Sequence, residues 1–239
     1  MKLRRPPTES LTVDGLTFAV RWSRRRHTVG ITVARDGGLV VAAPSGVPAR
    51  KVKGFVRAKL PWVRRKLAEF EALGPPPQPP RFVAGERLPY LGRAYRIALV
   101  DDPPAPVALR RGRFEIARGL DGAARTEVAG WYTSRALPRI DSSVARFAPL
   151  IGAAPRTVVV RDLGKRRWGV CDHRAAKVSF HWQLVTQPPD LVDYVVVHEL
   201  AHLLEPHHGT AFWERVAAVL PDWESRRRRL RDRGLDLLV

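Results

Sequence analysis

The chain has 239 residues, 45% of them hydrophobic, with one cysteine and a formal net charge of +19. That length and apolar content exclude a disordered chain and admit one large domain or two small ones. Cys171 alone excludes an internal disulfide and fits a reducing, cytoplasmic compartment, while no apolar run reaches the roughly 20 residues of a membrane-spanning helix.

The N-terminal MKLRRPPTES is charged, with no apolar segment behind it that would make a signal peptide. Residues 12–43 alternate and are rich in β-branched side chains, which predicts strands with a turn at Asp36-Gly37-Gly38. Residues 48–72 predict a basic amphipathic helix: Val52, Phe55, Val56, Leu60, Val63 and Leu67 recur near 3.6-residue spacing with Arg and Lys between them. Pro61 is expected to kink or split it. GPPPQPP, residues 74–80, reads as a stiff linker.

FVAGERLPYLGRAYRIALV then predicts a hairpin turning at Gly85 and Gly92, followed by an irregular polar stretch over 101–125 with room for an edge hairpin. A helical pattern runs from Glu127, interrupted at Pro138. Strands are expected over 157–163 and 177–185, with GKRRWGVCDHRAA as a turn-rich connection. A helix should start near Pro188-Pro189-Asp190, capped by Asp190 with Asp193, and end at Leu204 or Glu205 before Pro206. Further helices are expected over 210–219 and 224–233. No internal repeat of fixed period is evident.

The basic balance invites a polyanion such as DNA or a nucleotide, although a solvated Arg-rich surface gives the same count. The charge is uneven: residues 1–75 carry 16 Lys+Arg and 5 Asp+Glu, whereas residues 188–223 carry one Arg and 6 Asp+Glu. The basic character therefore lies mostly outside VVVHELAHLLEPHHG, residues 195–209, which holds four of the seven histidines.

In a helix, residues four apart share a face, so His198 and His202 can point at one ion. Glu199 lies about 100° around that helix, off the ion and aimed at water that a metal activates, where its carboxylate can act as general base. Burying two histidines and a glutamate without partners costs several kcal/mol, and a metal removes that cost. A zinc hydrolase needs a third ligand and one open position. Spacing favours His208 over His207, with Glu205 and Glu214 behind them and Asp222 further off.

DYVVVHELAHLLEPHHGTAFWERV resembles the signature of the YgjP-like zinc-dependent metallopeptidases, SprT-like in broad usage. RRRHTVGITVARDGGLVVAAPSGVP, FVRAKLPWVRRKL, GERLPYLGRAYRIAL and KRRWGVCD resemble other family segments, so the resemblance covers about residues 18–232. It implies His198, His202 and His208 as ligands of one Zn2+ and Glu199 as the catalytic base. Three positions depart from the family: Val170 stands for Ser, His181 for Asn, and Glu205 for Lys or His.

The implied fold is α+β and zincin-like, its HExxH helix set against a small antiparallel or mixed sheet. A β-rich part with the basic helix is expected over 1–110 and the catalytic part over 120–239, unless the whole forms one continuous domain. Arg167, Trp168 and His181 are candidate substrate or oxyanion contacts, with ordinary packing or hydrogen-bonded roles as the alternative. Trp168 and Gly169 also read as a turn packed under a helix, and Phe212 and Trp213 as core anchors. The expected partner is a peptide or protein substrate, with no membrane. Two rivals are a metal-dependent nucleotide phosphohydrolase, suggested by Lys165-Arg166-Arg167, and a nucleic-acid-binding module with a structural metal.

Overall fold

The computed structural model describes residues 9–34, 36–72, 74, 78–164 and 167–233. The chain divides into two compact units, Met1–Gln78 and Pro79–Val239. The boundary thus falls in the proline-rich stretch and not near residues 110–120, because the sheet over 87–117 shares its core with the helices that follow it.

In the first unit, strands β1 (Ser10–Val13), β2 (Leu16–Ser23), β3 (Gly30–Val33) and β4 (Leu39–Pro44) precede helix α1 (Ala49–Ala72). The sheet order is β1-β2-β4-β3, with β2 and β4 parallel and the other pairs antiparallel. Asp14 and Gly15 both take positive φ, the two-residue turn that suits the twist of a hairpin. Val52, Val56, Leu60 and Val63 of α1 join Val13, Phe18, Leu39 and Val41 in one core.

Pro61 does not split α1, nor do Pro138 and Pro149 split the later helix α2 (Ala124–Ile151). All three prolines are exposed, so the carbonyl each one strips of its hydrogen bond faces water. Buried residues on both sides of each proline hold the two halves to one core, and each buried Val or Leu is worth about 1.5–3 kcal/mol.

The second unit opens with β5 (Arg87–Tyr90), β6 (Arg93–Val100), β7 (Val107–Arg110) and β8 (Arg113–Ala117), in the order β5-β6-β8-β7 with β6 and β8 parallel. This is the topology of the first sheet again, and here too a long helix follows. A structural repeat is therefore present that no fixed sequence period signals.

After α2 come β9 (Thr157–Arg161), β10 (Gly169–Asp172) and β11 (Lys177–His181). They form a mixed sheet ordered β10-β11-β9, with β11 antiparallel to β10 and parallel to β9. The expected turn-rich connection thus contains a strand. A 3-10 segment, Trp182–Thr186, leads into α3 (Pro189–Ala201), then α4 (Thr210–Val219) and α5 (Trp223–Arg233).

The β5–β6 turn braces the start of α3: Leu91 N–H donates to Val185 O at 2.8 Å and Gly92 N–H to Thr186 O at 3.3 Å. Gly92 has φ +79°, and a Cβ there would lie 2.9 Å from Pro188 Cα, so the close approach requires glycine. No helix among the described residues is long and apolar enough to cross a membrane.

Candidate active site

Helix α3 is buried nearly all round, through Leu191, Val192, Tyr194, Val195, Val196, Val197, Leu200 and Ala201. Pro189 starts it without a side-chain cap. The expected capping pair is engaged elsewhere: Asp193 accepts from Arg139 Nη2 at 2.8 Å and Ser143 Oγ at 2.7 Å, and Asp190 pairs with Arg229. The helix ends at Ala201, earlier than expected. Leu203 and Leu204 bond three residues back, to Leu200 O at 3.1 Å and Ala201 O at 3.0 Å, which tightens the chain into turns before Pro206.

Those turns return His208 to the face that carries His198 and His202. His208 Nε2 lies 3.0 Å from His202 Nε2 and 3.1 Å from His198 Nε2. His207 is exposed and outside the cluster. Burial lowers the pKa of all three rings. His198 falls to about 3, chiefly by burial and then through His202, His208 and Arg227. Neutral imidazoles leave lone pairs free, and His202 Nδ1, 3.1 Å from Glu205 O, carries the proton that frees its Nε2.

Three neutral nitrogens facing one another satisfy few of their own hydrogen-bonding needs. A tetrahedral ion with ligands at 2.0–2.1 Å sets its nitrogens roughly 3.3 Å apart, close to this spacing. The residues present fit a divalent metal, and among the described residues no fourth acidic, thiol or imidazole ligand joins them. His198 Nδ1 is buried without a partner among the described residues.

Glu199 is 6% exposed, and burial pushes its carboxyl up to about 8. Its side chain lies across Gly169 of β10, where a Cβ would come within 2.5 Å of Glu199 Cγ. A cleft of about 720 Å³ opens in front of the three histidines and Glu199. Arg167, Trp168, Val170 and Cys171 form one wall, and Tyr194, Arg227 and Arg231 line it from α3 and α5. The Cys171 thiol is pushed up to about 12, first by burial and then by Glu199 and Asp172, so it stays neutral. His173 also lines the cleft.

His181 stands apart from the cleft as a candidate contact. It is 1% exposed, its Nδ1 accepts from Gln183 N–H at 3.1 Å, and its Nε2 lies 3.2 Å from Asp162 Oδ1. Its backbone N–H donates to Trp168 O at 2.8 Å, so it holds the cleft wall from behind. Glu205 supplies a carbonyl to His202, while its carboxylate pairs with Arg215 at 3.3 Å. Phe212 is fully buried and Trp213 packs partly buried beside it. Lys165 and Arg166 lie outside the described residues.

Sequence reasoning missed Tyr194, Gly169 as a seat for Glu199, and Arg227. Tyr194 could have been found, since it precedes His198 by four residues and so shares its face. Burial raises its phenol to about 12, which keeps it a proton donor. Arg227 carries no local signal, because it reaches the cleft only through the packing of α5.

No curated protein matches the chain in sequence. The crystal structure of the metallopeptidase zymogen of Pyrococcus abyssi abylysin is similar over 38% of this chain and 90% of its own, at 20% identity and a TM-score of 0.35. The family model described as the YgjP-like metallopeptidase domain matches residues 27–233, which spans part of the first unit, nearly all of the second and every residue of the cleft. On that match the chain belongs to the YgjP-like metallopeptidase family.

Proposed function

We propose that the protein is a zinc-dependent peptidase in which His198, His202 and His208 hold one Zn2+ and Glu199 is the general base. Imidazole nitrogens of His202 and His198 at 3.0 and 3.1 Å from His208 Nε2, beside a buried carboxyl with no hydrogen-bond partner among the described residues, carry this reading. Imidazole donors favour zinc over the hard cations that prefer oxygen. When bound, the ion supplies positive charge that polarises a carbonyl and makes water more acidic. We read α3 against the mixed sheet as a zincin-like arrangement.

Glu199 takes a proton from the attacking water and delivers it to the leaving amine, so the amide C–N bond breaks as the new C–O bond forms. A cation nearby favours the ionised carboxylate, which opposes the effect of burial and makes the base form available near neutral pH. Tyr194 faces the same cleft as a neutral donor. We place the protein in the cytoplasm on its single cysteine. The exposed basic residues of α1, Arg50, Lys51, Lys53, Arg57 and Lys59 among them, are our candidate surface for a polyanion such as DNA.

The second reading, nucleotide phosphohydrolysis, draws on the three arginines of the cleft. A structural-metal module is disfavoured, because a closed structural site needs a fourth ligand. A screen of metal-replete protein against a casein-type substrate and nucleoside triphosphates separates these readings. Peptide cleavage lost on chelation and regained with zinc supports the proposal. Turnover of triphosphates alone overturns it.

A further inference from the structure

Resting on the peptidase reading, we propose that Arg227 is a specificity-determining residue that receives a substrate carboxylate beside the scissile bond. Arg226 pairs with Asp222 at 2.9 Å, Arg229 with Asp190, and Arg231 with Asp232 at 3.4 Å. Arg227 has no carboxylate partner among the described residues. Its guanidinium lies over the indole of Trp213, 4.8 Å from the ring centroid, and 6.0 Å from that of Trp223.

An indole face holds a guanidinium in place without neutralising it, so the N–H donors stay free for a ligand. The indole is itself held in a stack. Trp213 stacks on Trp223 at 4.1 Å and 16°, and His208 lies parallel to Trp213 at 5.6 Å and 20°. One aromatic column therefore runs from a proposed metal ligand to Arg227, and it places the cation beside the hydrolytic centre.

The charge around the cleft points the same way. Arg167, Arg227 and Arg231 line it, and Glu199 is the one carboxyl among the described lining residues. Glu199 makes no hydrogen bond to any of the three arginines. Of the three guanidinium groups only Arg231 meets a carboxylate, that of Asp232 outside the lining, and a cleft with this balance selects an anion. The planar fork of arginine matches the two oxygens of a carboxylate. In a peptide that group is either an acidic side chain next to the cleaved bond or a free C-terminus.

Three matched peptides separate these sources: one with Glu next to the cleaved bond and an amidated end, one with Gln there and an amidated end, and the Gln peptide with a free C-terminus. In wild type, kcat/KM is expected to favour one carboxylate peptide over the Gln amide by about tenfold, the scale of a charge-assisted pair. Arg227→Met keeps the stem over the indole and should bring that ratio near one. Arg227→Lys should leave an intermediate ratio, since it keeps charge but loses the fork.

Binding of the same peptides to Glu199→Gln protein, read by calorimetry, tests the carboxylate site even if no peptide is cleaved. A carboxylate preference there that Arg227→Met removes supports the proposal even where the peptidase reading fails. Equal binding of all three peptides, or a preference that survives Arg227→Met, overturns it. So does tight binding of inorganic triphosphate with no discrimination between the peptides, which would mark a phosphate site.

Discussion

The side chain of Glu199 occupies the space where a Cβ on residue 169 would stand: Gly169 puts Glu199 Oε1 2.7 Å and Cγ 2.5 Å from that point. Gly169 has no positive φ, so the demand for glycine is steric and comes from the carboxyl it seats. Gly169→Ala must push Glu199 or β10 aside. The expected outcome is a kcat/KM at least about tenfold lower with metal content unchanged, and a stability loss of about 1–3 kcal/mol. Peptide cleavage, metal analysis and urea unfolding check it; full activity in the variant contradicts it.

The buried carboxyl gives a pH signature in the metal-free protein. Glu199 is raised from its ordinary 4.5 to about 8, so the folded protein holds a proton that the unfolded chain releases. The stability it contributes is present in full below pH 4.5 and is lost as pH rises through 8. Glu199→Gln should remove this loss. From about pH 5 to about pH 8.5, wild type should lose on the order of 3–5 kcal/mol relative to the variant. Parallel urea curves at the two pH values measure it.

His181 supports the start of the 3-10 segment with its side chain. Its Nδ1 accepts the Gln183 N–H at 3.1 Å, a bond that an asparagine oxygen can also accept. His181→Asn should therefore lose less stability than His181→Leu. The leucine leaves a buried N–H unpaired at a cost of about 1–3 kcal/mol. It also loosens the hold on Asp162, 3.2 Å from His181 Nε2. Chemical denaturation of the pair decides the order.

The adjacent histidines should separate cleanly. His208 meets both other rings, whereas His207 is exposed and outside the cluster. His208→Ala is expected to weaken zinc binding by more than about 100-fold, and His207→Ala by less than about twofold. Chelation should lower the Tm of wild type and of His207→Ala, since bound metal stabilises only the folded state, and leave His208→Ala unmoved.

The centre was legible because its chemistry is local: His198 and Glu199 sit on α3, His202 caps its end, and the turns before Pro206 return His208. What escaped depends on long-range packing. Pro61 and Pro138 read as interruptions, yet each faces water within a helix held by its core. β10 was hidden because GKRRWGVCDHRAA has turn residues on both sides of only four paired positions. Asp193 looked like a cap but answers Arg139 and Ser143, 54 and 50 residues away in sequence. Arg227 is one arginine in an Arg-rich helix, and only the Trp213–Trp223 stack distinguishes it.

In the proposed division of roles the three histidines hold the metal while Glu199 moves the proton. The most direct test of this division measures zinc content and peptide cleavage together in wild type and Glu199→Gln. One zinc per chain is expected in both proteins, with cleavage lower in the variant by on the order of 100- to 10,000-fold. Equal cleavage by the two zinc-loaded proteins would contradict it.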